Sequence, residues 1–210
     1  MALSVEEFSK FINENKGKRK FKQTVELAVN FKGIDFTKQN NRLNLDILLP
    51  NGIGKSVKIG VFASDKAILE EAKKNNIESF DIKELETISK DQKRLNLLLD
   101  FNLYAQPNLM PTIAKNLGQF LGPRNKMPKP LLSGITLTSL TGEASKRIAI
   151  KSKGKYLPTV HSIVGSEDME PQKLYENIRE ILNNINKKVG NNNVRSVYVK
   201  LTMSKPIKFQ

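Results

Sequence analysis

The sequence predicts a two-part fold. One part is a two-layer α+β unit, an antiparallel sheet backed by helices and built from both ends of the chain. The other is an inserted three-layer α/β unit with a Rossmann-like parallel sheet. Three observations predict this. Segments near both termini alternate apolar and polar residues with period two, as strands with one buried and one open face do. The middle carries near-continuous apolar runs separated by helical patterns, as parallel strands covered on both faces do. The change of pattern falls at Gly52–Gly54 and again near Lys146–Arg147, where paired glycines make a permissive crossing point.

Taken in order, Phe21, Gln23, Val25, Leu27, Val29 and Phe31 occupy the odd positions of a first strand, and Leu43, Leu45, Ile47 and Leu49 those of a second. Val57 to Ala63 reads as a covered strand, with a helix at about Asp65 to Lys74 and another around Ile82 to Ile88. A further apolar run, Leu97 to Ala105, reads as the next strand. Leu174, Ile178, Ile181, Leu182, Ile185 and Val189 form one stripe of a helix, with Pro171 in its first turn and Gly190 as its stop. The closing strand sets Val197, Val199 and Leu201 on one side and Ser196, Tyr198, Lys200 and Thr202 on the other. The expected division is residues 1–53 with 147–210 as one discontinuous domain, and 54–146 as the insertion.

Charge points to a polyanion. The 210 residues hold 35 Lys+Arg against 21 Asp+Glu, a formal net charge of +14. Such a field attracts nucleic acid, whose released counterions supply much of the affinity. The split part holds 21 Lys+Arg against 11 Asp+Glu, or +10, and the insertion 14 against 10, or +4. The split part is therefore the expected nucleic-acid surface. Cations cluster at Lys16, Lys18, Arg19, Lys20 and Lys22; at Lys146, Arg147, Lys151, Lys153 and Lys155, where the chain re-enters the split part; and at Lys200, Lys205 and Lys208.

Other chemistries fail on composition and spacing. There is no cysteine, which removes disulfides, thiolate metal sites and cysteine nucleophiles. With His161 as the one histidine, no zinc site is expected, and beside Val160 and Ile163 it reads as structural. No serine stands in a nucleophile-elbow pattern, and no cofactor is expected. Asn51-Gly52-Ile53-Gly54-Lys55-Ser56 ends like a phosphate-binding loop, but Leu49 stands where the first glycine must be and a strand follows instead of a helix. A hinge at Gly52, Gly54 and Arg147 is the better reading. The first fifteen residues lack signal-peptide order, and no apolar run approaches the roughly 20 residues that span a bilayer. A soluble, non-enzymatic binding protein is expected.

Four strings carry a family resemblance: "RKFKQTVEL" (Arg19 to Leu27), "LLPNGIGKSVKIGVF" (Leu48 to Phe62), "LGQFLGPRNKMPKP" (Leu117 to Pro130) and "RSVYVKLTMSKP" (Arg195 to Pro206). In chain order they resemble the L-one family of large-subunit ribosomal proteins, particularly its archaeal branch. The resemblance implies a structural protein that is cytoplasmic and ribosome-bound, and a monomer off the ribosome. Such a protein binds large-subunit rRNA at the mobile stalk near the tRNA exit site. It also implies exit-site tRNA as a partner, with help in releasing deacylated tRNA, and repression through the protein's own mRNA. Carried over by position, the RNA contacts are Lys20, Phe21, Thr24, Ser196, Thr202, Met203 and Ser204, ringed by Lys18, Arg19, Arg42, Lys200 and Lys205.

In the strand-face reading, the Thr202 hydroxyl points outward with that of Ser196, toward 2′-OH groups and base edges. Two positions depart from the family pattern. Ser204 replaces a glycine that would allow close backbone approach, and Asn125 replaces a glycine where a left-handed backbone is tolerated. A free-standing RNA-recognition module is the competing reading. It calls for exposed aromatics on two central strands, whereas Tyr198 is the one aromatic among the assigned polar-face positions.

Overall fold

The computed structural model describes residues 3–131, 136–152 and 157–210. Lys153 and Lys155 of the second basic cluster lie outside the described residues. The backbone forms two compact units, Met1–Lys55 with Ser145–Gln210, and Ser56–Ala144. The crossings stand two residues from the expected positions because both strands of the crossing stay bonded to the split unit. Leu49 N–H donates to Lys146 O (2.8 Å) and Ile53 N–H to Ser145 O (3.0 Å). With these bounds the split unit holds 23 Lys+Arg against 11 Asp+Glu, and the insertion 12 against 10.

In the split unit, α1 (Val5–Asn15) starts on a capping box. Glu7 N–H donates to Ser4 Oγ, and the Glu7 carboxylate accepts from Ser4 N–H. The helix buries Phe8 and Ile12. Strand β1 (Thr24–Phe31) alternates strictly, with Val25, Leu27, Val29 and Phe31 buried, and β2 (Asn44–Leu48) follows. The first strand is shorter than expected: Phe21 lies outside it and is 50% exposed. Pairing begins at Thr24↔Ser166 and Val25↔Leu201, so residues before Thr24 have no partner strand to hold them in the sheet.

In the inserted unit the order is β3 (Lys58–Phe62), α2 (Lys66–Lys74), β4 (Glu78–Phe80), α3 (Ile82–Lys90), α4 (Gln92–Leu98), β5 (Phe101–Ala105), α5 (Met110–Leu121), β6 (Lys129–Pro130) and α6 (Leu137–Ala144). The strands pair in parallel in the order β4-β3-β5-β6. Alternate residues enter separate cores. Ile59, Val61, Ala63 and Tyr104 pack with α2 and α6 residues, while Phe62, Leu103 and Ala105 pack with α3, α4 and α5 residues. That is the covered, three-layer arrangement.

The run Leu97 to Ala105 is not one strand. Asp91 caps α4, accepting from Lys93 N–H (2.9 Å) and Arg94 N–H (3.4 Å), and the helix takes Leu97 and Leu98 before the turn at Asp100 starts β5. After α5, Asn125 adopts a left-handed backbone with φ 54°, the conformation an asparagine tolerates better than most residues.

The returning chain completes the split unit with β7 (Arg147–Lys151), β8 (Thr159–Ser166), α7 (Pro171–Val189), β9 (Val194–Leu201) and β10 (Ile207–Lys208). Strand β7 pairs with β2, and the main antiparallel sheet runs β10-β9-β1-β8. Helix α7 buries Leu174, Ile178, Ile181, Leu182 and Ile185 at helical spacing against that sheet's apolar face. The opposite face is not covered so closely: Glu26, Ala28, Asn30, Ser196, Tyr198 and Lys200 are half-buried. His161 is on this face, opposite Ala28, and exposed.

Gly52 (φ 66°) and Gly54 (φ 65°) lie in the split unit just before the first crossing, and a Cβ on Gly54 would come 2.7 Å from the Met169 side chain. Fully buried Asn177 fixes this segment, donating to Gly52 O (2.8 Å) and accepting from Asn51 N–H (3.2 Å). Among the described residues no helix is long and apolar enough to cross a membrane.

Ile181→Ala should destabilise the split unit by about 2–5 kcal/mol, because a fully buried side chain leaves a cavity. Leu97→Ala, at a position 58% exposed, should cost less than about 0.5 kcal/mol. Urea denaturation of both variants would check the contrast; equal midpoints would contradict it.

Candidate nucleic-acid interface

Two distant segments meet at one end of the main sheet. The linker from α1 to β1 carries the first basic cluster, and the residues after β9 form a tight turn. In that turn Ser204 N–H donates to Leu201 O (3.1 Å) and Leu201 N–H to Ser204 Oγ (2.9 Å). Between them lies an open groove of about 340 Å³ lined by Phe11, Asn15, Lys18, Arg19, Gln23, Met203, Ser204 and Lys205. Its lining has three cations, an aromatic ring and a thioether, and no carboxylate. Such a surface can meet phosphates at its rim and the face of a base or sugar along its apolar wall.

The expected contact residues divide into those the fold gathers here and those it does not. Lys18, Arg19, Met203, Ser204 and Lys205 line the groove. Thr24 and Thr202 stand beside it, bonded to each other. Lys20 and Phe21 are exposed on the linker, and Met203 is 56% exposed. Ser196 lies at the far end of β9, opposite Asn30, where its Oγ accepts from Asn30 Nδ2 (3.0 Å). Lys200 is opposite Glu26 on the sheet's open face, and Lys208 is opposite Tyr198. Arg42 is elsewhere, exposed in the loop before β2, and donates to Thr37 O (3.1 Å). Arg147 begins β7 opposite Leu48 and lies 3.7 Å from Asp46.

The Thr202 hydroxyl does not project outward as the alternation suggests. Strand β9 ends at Leu201, and the Thr202 side chain turns back to β1. Its Oγ1 accepts from Thr24 N–H (3.0 Å) and lies 3.3 Å from Thr24 O, while Thr202 N–H donates to the same carbonyl (3.0 Å). Thr202 therefore fastens the end of β9 to the start of β1. Lys55 Nζ reaches the Thr24 hydroxyl, so that group also has an internal partner. Ser204 avoids the left-handed backbone that its replaced glycine would permit; among the described non-glycine residues only Asn76 and Asn125 have positive φ.

Lys22 is exposed but taken up in a surface ion pair, with Asp168 at 2.7 Å. The hydrogen bond and charge of Asp168 raise the Lys22 pKa above its ordinary value. The hydrogen bond from Lys22, followed by its charge and that of Lys16, lowers the Asp168 pKa. Of the first cluster, Lys16, Lys18, Arg19 and Lys20 remain exposed without this pairing.

Sequence reading missed Phe11, Asn15, Gln23 and Glu167. Gln23 carried a signal: it is polar at an inward position of an apolar strand face, and it is 2% exposed. Its Nε2 donates to Asn15 O (3.2 Å) and to Glu167 Oε2 (3.1 Å), and its Oε1 accepts from Met203 N–H (3.1 Å). Among the described residues no group of three or more His, Asp or Glu side chains could hold a metal ion.

Comparison with known proteins gives one answer. Residues 10–205 match the ribosomal protein L1p/L10e family. The chain is 40% identical to the large ribosomal subunit protein uL1 of Thermococcus kodakarensis over the full length of both. It is 38% identical to that of Pyrococcus horikoshii over all of this chain and 98% of the relative, and 38% identical to that of Methanocella arvoryzae over 91% of each.

The Asp168 carboxyl should titrate below 3.8, its ordinary value, and move back up in Lys22→Ala. Because its folded-state pKa is depressed, the pair's stabilising contribution is present above the unfolded pKa and lost as pH falls through the folded one. Carboxyl chemical shifts followed by NMR would check this; an unchanged Asp168 titration in Lys22→Ala would contradict it.

Proposed function

The chain belongs to the ribosomal protein L1p/L10e family, a family of structural rather than catalytic proteins, and from that membership we propose that it grips a folded element of large-subunit rRNA with its split domain, residues 1–53 and 147–210. It acts in the cytoplasm as part of the large ribosomal subunit. At the mobile stalk near the tRNA exit site it assists release of deacylated tRNA, and it represses translation of its own mRNA through an element that imitates the rRNA site. The family resemblance supports the stalk, tRNA and mRNA parts.

The observation that carries the rRNA part is the groove, where two chain segments almost 200 residues apart present Lys18, Arg19 and Lys205 around an exposed methionine. Cations at the rim position the RNA through phosphates. Backbone, hydroxyl and apolar groups, being fixed in direction, select its shape. Gly52 and Gly54 serve as the hinge between the two domains, with Arg147 on the returning strand.

Binding of the full chain to its own large-subunit rRNA should be both salt-sensitive and selective. Lys205→Ala should lower the log–log salt slope by about one unit while leaving selectivity unchanged. Met203→Ala should weaken binding roughly 5- to 100-fold with the slope unchanged, since it removes contact area and no charge. Fluorescence anisotropy against rRNA and a scrambled RNA of equal length would check this; equal affinity for the two RNAs would reduce the protein to a nonspecific polycation.

A further inference from the structure

On the reading that the groove binds rRNA, we infer that buried Gln23 and Glu167 are its positioning residues, a carboxylate–amide relay that holds the basic linker and the Met203 turn in register without touching RNA. The relay runs through four chain segments. Glu167 follows β8 and is 4% exposed. Its Oε2 accepts from Gln23 Nε2 (3.1 Å) and lies 3.4 Å from Gly17 N–H, in the linker. Glu167 N–H in turn donates to Gln23 O (3.0 Å). The Gln23 amide nitrogen also reaches Asn15 O, the last residue of α1 (3.2 Å). Its amide oxygen accepts from Met203 N–H (3.1 Å).

Core packing alone does not account for these residue types. Every inward position of β1, which starts just after Gln23, is apolar, and a buried carboxylate carries a desolvation cost that an apolar pair of similar volume avoids. A polar pair supplies direction. The carboxylate accepts hydrogen bonds and cannot donate them, so the Gln23 amide must present its nitrogen to Glu167 and its oxygen to the turn. That orientation leaves one acceptor aimed at Met203 N–H. With its N–H bonded inward and Ser204 bonded to Leu201, the turn is fixed at two points, and the Met203 side chain is left exposed in the groove. The same carboxylate lies under the linker that carries Lys16, Lys18 and Arg19, so one buried pair sets the position of both walls. Preorganisation of this kind raises affinity by reducing the ordering that binding would otherwise require.

The test uses the full chain and its own large-subunit rRNA. Glu167→Ala should lower affinity by about tenfold or more with the salt slope unchanged, because orientation is lost and no phosphate contact is. Glu167→Gln, whose side-chain oxygen still accepts from Gln23, should recover most of it. Gln23→Met keeps the volume and removes the relay; it should match Glu167→Ala in loss, and combining the two should add little. Amide exchange at Met203 should quicken in both.

A merely structural role predicts a lower melting temperature but wild-type affinity well below it, and that result would overturn the inference. So would full additivity of the two substitutions. If Glu167→Ala fails to fold, Gln23→Met carries the same test. Failure of the wild-type chain to bind rRNA would instead overturn the proposed function, which keeps the two outcomes distinct.

Discussion

The split unit depends on strand β1 having a partner on both edges. Residues 24–31 pair on one side with 159–166 and on the other with 194–201, so the central strand is complete only after the chain has passed through the insertion and returned. An isolated β1 would leave two rows of backbone donors and acceptors open. The apolar face it contributes, Val25, Leu27, Val29 and Phe31, is buried only when the returning strands and α7 bring theirs. Contacts this remote in sequence close slowly, since loop entropy must be overcome before any contact forms.

The functional surface is a consequence of that pairing. Because β1 runs antiparallel to β9, its start meets the other strand's end. The linker before Thr24 and the turn after Leu201 are thereby placed side by side. Thr202 fastens the junction through the Thr24 backbone, and Gln23 does so through Met203 N–H. Neither wall of the groove has a defined position without the other. Charge follows the same logic. Lys22 is paired with Asp168, which leaves the cations on either side of the groove to face solvent. Arg147 and Lys151 of the second basic cluster, on β7, belong to a different sheet and are not among the residues that line the groove.

Much of this was legible in the sequence wherever one physical signal acted alone. Period-two alternation located β1, β2 and β9. The continuous apolar run located β3, and a helical stripe bounded by Pro171 and Gly190 located α7. Signals failed where two rules overlapped. The run from Leu97 mixed the end of a capped helix with a strand, and apolar content alone does not separate them. Strand β8 lacks a clear alternation because polar Ser162 stands opposite buried Leu27 while apolar Ile163, opposite Glu26, is 47% exposed. Thr202 was extrapolated along a strand that stops one residue earlier. Gln23 looked like an exception within an apolar face, and that exception marks the buried network behind the groove. The basic and apolar residues that line the site were readable; the hydrogen bonds that aim them were not, since they join segments about 150 to 180 residues apart.

The central claim is that one RNA surface is formed jointly by the α1–β1 linker and the turn after β9. Hydrogen exchange of the full chain with and without its rRNA tests this most directly. The account predicts slowed exchange in both residues 15–24 and residues 201–206, appearing together at the same RNA concentration. Slowing confined to residues 56–144, or to only one of the two segments, would contradict it.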